Sequence, residues 1–437
     1  MDWREEYKRK LVTAAEAVAN VQSGNRIAFS VNEQPITLSE ALTARLVDLH
    51  DVEIHITNPM IDFGWFEPGM REFFDVKQLS YAGRAARAMS DRREIDYMPL
   101  LYSIWLKAEK EGRPGIRGTD VFMMLASPPD EHGFLSFGWS IWGKKSYLDS
   151  AKTVMVEVNE NLPRLYGDNL FHISEVDHVV EHSYPRAAYK QPEPEDYMRA
   201  IGQHVGTLVR DGDTIAIGAG GIGTTLCAQG IFDDKNDLGY HAENIVPGIA
   251  PLVRKGVMTG KYKTINRGKV VCNNFLADPA NDHDYVDRNP LFELHPQEYV
   301  VNIKTISAHD SMVAINAALS VDLTGQIASE SIGYRMYTGS GGQPSFAIGS
   351  MLSKGGRSII MLRSTSNDGK VSRITSGLEP GTVVTVPRNF ADYIVTEFGI
   401  ASLLGKSQRE RALELISIAH PDFRDELEQQ AKKLFWP

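Results

Sequence analysis

A short internal repeat does most to limit how this chain can fold. Val21-Gln22-Ser23-Gly24-Asn25-Arg26-Ile27-Ala28 recurs as Val209-Arg210-Asp211-Gly212-Asp213-Thr214-Ile215-Ala216, and the match resumes in register at Thr37-Leu38 and Thr225-Leu226. Six of eighteen positions are identical, where roughly one is expected by chance. In each copy a helix-like segment leads through a glycine turn into a strand, a loop and a second helix. Two halves that begin alike predict two domains of similar topology.

The rest of the chain fits that reading. Apolar runs at Val52 to Ile56, Val121 to Leu125, Thr153 to Val158, Lys269 to Cys272, Ser358 to Leu362 and Thr382 to Val386 read as buried strands. Helical patterns intervene at Thr37 to Leu49, Ser311 to Leu319 and Gln408 to Ala419, and His420-Pro421 breaks the helical tail. Strands alternating with helices favour parallel sheets. A proline-rich stretch from Pro185 to Pro194 reads as a linker. The expected architecture is therefore two tandem open α/β domains, over residues 1–190 and 195–437. A chain of 437 residues is long enough for both.

The second copy carries a glycine turn that the first lacks. Gly218-Ala219-Gly220-Gly221-Ile222-Gly223 follows the strand-like Thr214 to Ile217 and opens the helix-like Thr224 to Ala228. It satisfies the dinucleotide spacing, but a Rossmann unit also needs an acidic residue ending the next strand. The next segment, Phe232 to Asp237, is too polar for a buried strand. Two readings stay open: a tight turn for close packing, or a cradle of backbone amides for phosphates or pantetheine amides. A second phosphate-loop lookalike, Gly399 to Ser407, carries five intervening residues where four are needed and follows a helix-like stretch. ATP use is not expected.

Composition closes other routes. A formal net charge of −10 argues against a broad nucleic-acid surface. Two cysteines, Cys227 and Cys272, make no disulfide framework, and there is no CxxC or HExxH to hold a metal. Neither a signal-peptide core nor a run of about eighteen apolar residues is present. A cytoplasmic enzyme or binding protein without metal or membrane partner is expected.

Glu243, in Asp237-Leu238-Gly239-Tyr240-His241-Ala242-Glu243-Asn244, belongs to a glycine-flanked, mildly apolar stretch suited to a partly buried loop. Glu-Asn followed by Gly248-Ile249-Ala250-Pro251 resembles the active-site segment of class I coenzyme A transferases. Ser127 to Gly133, Val156-Glu157-Val158-Asn159 with Pro163, and Asn289-Pro290 resemble signatures of the acetyl-CoA hydrolase/transferase family. So do Ile315 to Leu319, Val321 to Gln326, Gly339 to Gln343, Ser353 to Gly356 and Val395 to Gly399. Within that family the chain is similar to 4-hydroxybutyrate, butyrate and itaconate CoA-transferases.

The resemblance implies a fold of the class I CoA-transferase type and a nucleophilic Glu243. Its carboxylate would attack an acyl-CoA, passing through a mixed anhydride to a glutamyl-CoA thioester that a second carboxylate resolves. Each attack creates an oxyanion needing N–H donors. Gly341 and Gly342 are candidates because glycine lets a ligand approach the backbone closely. The first-half loop, with Val31, Asn32 and Gln34, is a second candidate for the oxyanion and acyl end. CoA contacts are expected from Gly218, Gly220, Gly221, Ile222, Gly223, Thr224, Gly342 and Lys370. Positive charge for the phosphates is available at Lys354, Arg357, Arg363 and Arg373 too. CoA enters as substrate, with no resident cofactor, and a homodimer or higher homo-oligomer is expected.

Other nucleophiles compete: Glu330, Glu33 and the thiol of Cys227. His241 could orient Glu243 or simply be structural. The chain departs from the family pattern at Gly223-Thr224 in place of proline and asparagine, at Pro344-Ser345 in place of valine and aspartate, and at Gln34 in place of glutamate. An acyl-CoA hydrolase on the same scaffold and a non-catalytic CoA or nucleotide sensor remain open alternatives.

Overall fold

A computed structural model describes the chain apart from residues 1, 32, 59–60, 81–83, 186–192 and 277–278, with the side chains of 46, 84–85 and 279–281 also outside the description. Most of the expected linker thus lies outside the described residues. The chain divides into two compact units, one of residues 1–188 with 273–299, the other of residues 189–272 with 300–437. The segment 273–299 therefore belongs with the first unit, unlike the simple division near residue 190 that composition suggests.

The first unit is built on a seven-stranded sheet. Its strands are β1 (Arg26–Phe29), β2 (Val52–His55), β3 (Phe74–Gln78), β4 (Ile95–Tyr97), β5 (Val121–Ala126), β6 (Thr153–Val158) and β7 (His178–Glu181). They lie in the order β7-β6-β5-β1-β2-β3-β4, every pair parallel. All six residues of β5 are buried, which is why it reads as a continuous apolar run rather than an alternation.

The second unit holds β8 (Thr214–Ile217), β9 (Gly239–His241), β10 (Val270–Cys272), β11 (Met312–Ala317), β12 (Arg357–Met361), β13 (Tyr393–Thr396) and β14 (Gly399–Ser402). Their order is β14-β13-β12-β11-β8-β9-β10, parallel except for the β13–β14 hairpin. In both units the first strand is central, the next strands extend one way, and the chain then crosses back to fill the other side. The contiguous part of the sequence repeat runs into those two central strands, β1 and β8. Two α/β domains of similar topology are what the structure contains.

Three local expectations change. Ser311 to Leu319 is not a helix but carries β11, whose first five residues are buried; an alanine-rich apolar run of that length fits either element until its neighbours are known. Thr382 to Val386 is no sheet strand and contributes a single bridge from Val386 to Ile327. Thr224 to Ala228 forms two short 3₁₀ turns, Gly223–Thr225 and Cys227–Gln229, so no α-helix dipole stands behind the glycine turn. The phosphate-loop lookalike begins in a strand, β14, that pairs with β13, and its Ser407 caps the helix Gln408–Ser417.

Apolar residues of β12 and β13 pack with the C-terminal helices around Ile360, Ile394, Leu403, Leu415 and Leu427. Each such side chain contributes about 1.5–3 kcal/mol of burial, which anchors the carboxyl edge of the second sheet. Among the described residues no helix is long and apolar enough to cross a membrane.

Candidate active site

Strand order reverses between β8 and β11, with β9 on the far side of β8. In open α/β sheets the crevice outside the carboxyl ends at such a reversal is where ligands bind. The glycine turn leaves β8 there. Gly218 N–H donates to the Ile315 carbonyl at 2.8 Å, and a Cβ on Gly218 would come 2.7 Å from Asn316 Oδ1 at the end of β11. A Cβ on Gly223 would overlap the Gly218 carbonyl oxygen. These two glycines close the turn. Ala219, Gly220 and Gly221 stay exposed at its tip, and nothing lies within 4 Å of a Cβ on Gly221. Ile222 and Thr224 are buried, and Thr224 N–H donates to Gly220 at 3.0 Å.

Glu243 lies just past β9. Ala242 N–H donates to the Val271 carbonyl at 3.1 Å, and Tyr240 Oη donates to the Asn244 carbonyl at 2.5 Å. The residues either side of Glu243 are thereby fixed, and its partly buried carboxylate is presented from a held loop. Gly342 N–H donates to Glu243 Oε2 at 2.8 Å. That amide caps the helix Gln343–Leu352, whose second residue is Pro344. Proline costs nothing here, because the first N–H groups of a helix have no internal partner. The helix N-terminus turns partial positive charge on the carboxylate. Burial acts against it more strongly, and the Glu243 pKa is pushed up to about 7 despite the Gly342 hydrogen bond.

Gly342 is tightly placed: a Cβ there would overlap Glu243 Oε2 and come 3.1 Å from Val301 Cγ1. Gly341 has φ +55, a left-handed backbone that suits glycine, and a Cβ on it would lie 4.0 Å from Glu243 Oε1. Gln343 Nε2 donates to the Ala317 carbonyl at 3.3 Å, tying this helix to the end of β11. Glu243, Gly341, Gly342 and the glycine turn thus share the carboxyl edge of the second sheet.

His241 is buried, its Nε2 meets the Val300 carbonyl at 2.8 Å, and its ring packs on His309 at 4.6 Å between centroids. Burial pushes the His309 pKa down to about 3. The pair is a structural clamp, holding the end of β9 to the segment whose Val301 faces Gly342.

Each rival nucleophile is otherwise engaged. Glu330 is buried and accepts from Thr385 Oγ1 at 2.9 Å. Glu33 pairs at 2.5 Å with Lys144, a lysine with no exposed surface. The Cys227 thiol is pushed up to about 12 by burial. In the first-unit loop Val31 and Gln34 are buried, with Gln34 Oε1 accepting from Ile61 N–H at 3.3 Å; Asn32 lies outside the described residues.

The basic cluster divides. Lys354 and Arg357 sit at the amino end of β12, the opposite edge from Glu243, and Arg357 is buried in an ion pair with Asp213. Arg363, Lys370 and Arg373 follow the carboxyl end of β12. Lys370 is exposed and lies 3.9 Å from Asp368. Val301, and Tyr197 beneath Arg363, are neighbours that no motif signalled.

Residues 1–189 match the acetyl-CoA hydrolase/transferase N-terminal domain and residues 281–431 its C-terminal domain. The chain is 39% identical over 436 residues to the 4-hydroxybutyrate coenzyme A transferase of Clostridium kluyveri, with 100% of each chain covered. It is 35% identical over 433 residues to the succinyl-CoA:cyclohexane-1-carboxylate CoA transferase of Geobacter metallireducens, covering 99% of this chain and 97% of that one. The crystal structure of RipA from Yersinia pestis superposes with a TM-score of 0.91 at 34% identity over the whole of both chains. That of a 4-hydroxybutyrate CoA-transferase from Porphyromonas gingivalis gives 0.83 at 31% identity, covering 99% of this chain and 100% of that one. With its two halves matched in order and its whole length shared with these relatives, the chain belongs to the acetyl-CoA hydrolase/transferase family of enzymes.

Proposed function

We propose that this enzyme moves CoA from an acyl-CoA to a small carboxylate, with Glu243 as covalent nucleophile. The observation that carries the reading is the Glu243 carboxylate, held by the Gly342 amide at a helix N-terminus with a pKa near 7. A carboxylate so placed is partly desolvated, which sharpens its nucleophilicity, and its ionised form is available at neutral pH.

In the first step a Glu243 oxygen adds to the thioester carbonyl, and the amides of Gly341 and Gly342 are the donors for the resulting oxyanion. Collapse breaks the C–S bond, leaving an acyl-glutamyl anhydride and CoA thiolate. The thiolate adds to the Glu243 carbonyl, expels the carboxylate product and forms the glutamyl-CoA thioester. An incoming carboxylate reverses both steps and leaves as the new acyl-CoA. One thioester replaces another, so the proton count is unchanged. The relatives named above act on 4-hydroxybutyrate and cyclohexane-1-carboxylate; an acceptor of the 4-hydroxybutyrate or itaconate class, with a succinyl-, acetyl- or butyryl-CoA donor, is the corresponding proposal here.

The test is direct. Protein treated with acyl-CoA and then borohydride should yield a reduced adduct mapped by mass spectrometry to Glu243. Exchange of labelled carboxylate into acyl-CoA should exceed net thiol release. An unlabelled Glu243 with no exchange defeats the proposal, whereas labelling with thiol release alone makes the protein a hydrolase.

A further inference from the structure

β12 ends at Met361 and the chain enters a hairpin, in which Thr365 bridges Ser372 and Arg373 N–H donates to the Ser364 carbonyl at 2.8 Å. Arg363 and Arg373 flank the base of this hairpin, and Lys370 sits near its tip. The Arg363 guanidinium lies over the Tyr197 ring, 4.8 Å from its centroid. Arg373 is half-buried, and its pKa falls through burial and the charge of Arg363.

Two cations brought together ordinarily share a carboxylate. Among the described residues neither guanidinium has one. Glu397, whose charge reaches Arg373, turns both oxygens to Ser364: Oε2 accepts from its N–H at 3.0 Å and Oε1 from its hydroxyl at 2.7 Å. The contrast with Arg357, which is buried against Asp213, is plain. A guanidinium left unpaired on an aromatic ring, as Arg363 is, with a second unpaired one close by at Arg373, suits a dianionic phosphate, which such groups can bind in bidentate fashion.

Their place in the sheet names the phosphate. Glu243 follows β9 and Arg363 follows β12, with β8 and β11 between them. Three inter-strand spacings amount to ~14 Å, a span that an extended pantetheine arm can bridge. The arm would pass over the exposed tip of the glycine turn on the way.

Resting on the reading of Glu243 as a CoA-dependent nucleophile, we infer that Arg363 and Arg373 clamp a phosphate of CoA and make the enzyme prefer nucleotide-bearing thioesters to bare pantetheine ones. Wild type, Arg363→Gln and Arg373→Gln are compared on butyryl-CoA, butyryl-3′-dephospho-CoA and butyryl-pantetheine. Each substitution should raise KM for butyryl-CoA about tenfold or more, the loss of one charged hydrogen-bond partner, and leave turnover of butyryl-pantetheine unchanged. If the penalty vanishes with the dephospho substrate, the clamp holds the 3′-phosphate; if it persists, the pyrophosphate. Equal losses on butyryl-pantetheine, or unaltered KM for butyryl-CoA, overturn the inference. Borohydride labelling of Glu243 separates the two levels: wild type that stays unlabelled with every thioester defeats the nucleophile itself, whereas normal labelling with unaltered substrate preference defeats only the clamp. Should Arg373→Gln fail to fold, the partly exposed Arg363 carries the comparison.

Discussion

Gly342 N–H meets Glu243 Oε2 at 2.8 Å, and the space a side chain at 342 would need is the space that carboxylate occupies. The same amide is the proposed donor to the oxyanion. Gly342→Ala keeps an ordinary backbone, since φ is −81, but displaces the carboxylate. Acyl exchange should fall by roughly 10²–10³-fold, the scale of losing an oxyanion donor. Circular dichroism and thermal melting should show the fold retained.

A Glu243 pKa near 7 fixes the sign of the pH dependence. Only the ionised carboxylate attacks, so kcat/KM should rise with pH and level off above about 7. Stability runs the other way. The unfolded carboxyl titrates near the ordinary glutamate value of 4.5, so the folded state binds the proton more tightly between 4.5 and about 7. The penalty of ionising Glu243 in place is absent below that window and complete above it. Glu243→Gln should therefore be more stable than wild type at pH 8, by about 3 kcal/mol at most for a shift of this size. At pH 4.5 the difference should disappear in denaturant titrations.

The glycine turn separates structural from ligand-facing positions. Gly223→Ala forces a methyl into the Gly218 carbonyl and should destabilise the second unit by about 1–3 kcal/mol. Gly221→Ala meets open space and should melt like wild type. If the turn cradles CoA, its KM for acyl-CoA should rise while kcat holds, which steady-state kinetics reads directly.

Arg357 and Asp213 make a buried pair at the edge of the sheet remote from Glu243. Removing one partner strands the other charge, a loss of about 3–5 kcal/mol. Arg357→Ala should lower the unfolding midpoint sharply, yet the folded fraction should label at Glu243 as wild type does.

His241 holds the end of β9 to Val300. His241→Phe preserves the packing on His309 and loses that hydrogen bond. Since the clamp acts on Glu243 only through the backbone, kcat should fall with little change in KM, and the pH profile should keep its limb near 7.

Residue patterns reached the two-domain α/β architecture and the central strands β1 and β8, and the resemblance to a family singled out Glu243 and its glycines as candidates. Those features are local: β6 and β8 are apolar runs bounded by turns, and the family signatures are contiguous. Met312 to Ala317 defeated the same reading, because burial on both faces removes the alternation that separates strand from helix. Thr382 to Val386 has strand-forming residues but pairs through one bridge only, since Tyr393 to Thr396 takes the place beside β12. Which basic residues face the ligand was equally illegible: Arg357 and Arg363 lie six residues apart, yet one strand carries them to opposite edges of the sheet. Sequence by itself determined which groups are candidates for the chemistry. Tertiary structure decided which of them meet, because burial of Glu243, the aim of the Gly342 amide and the pairing of each arginine arise only when distant segments pack together.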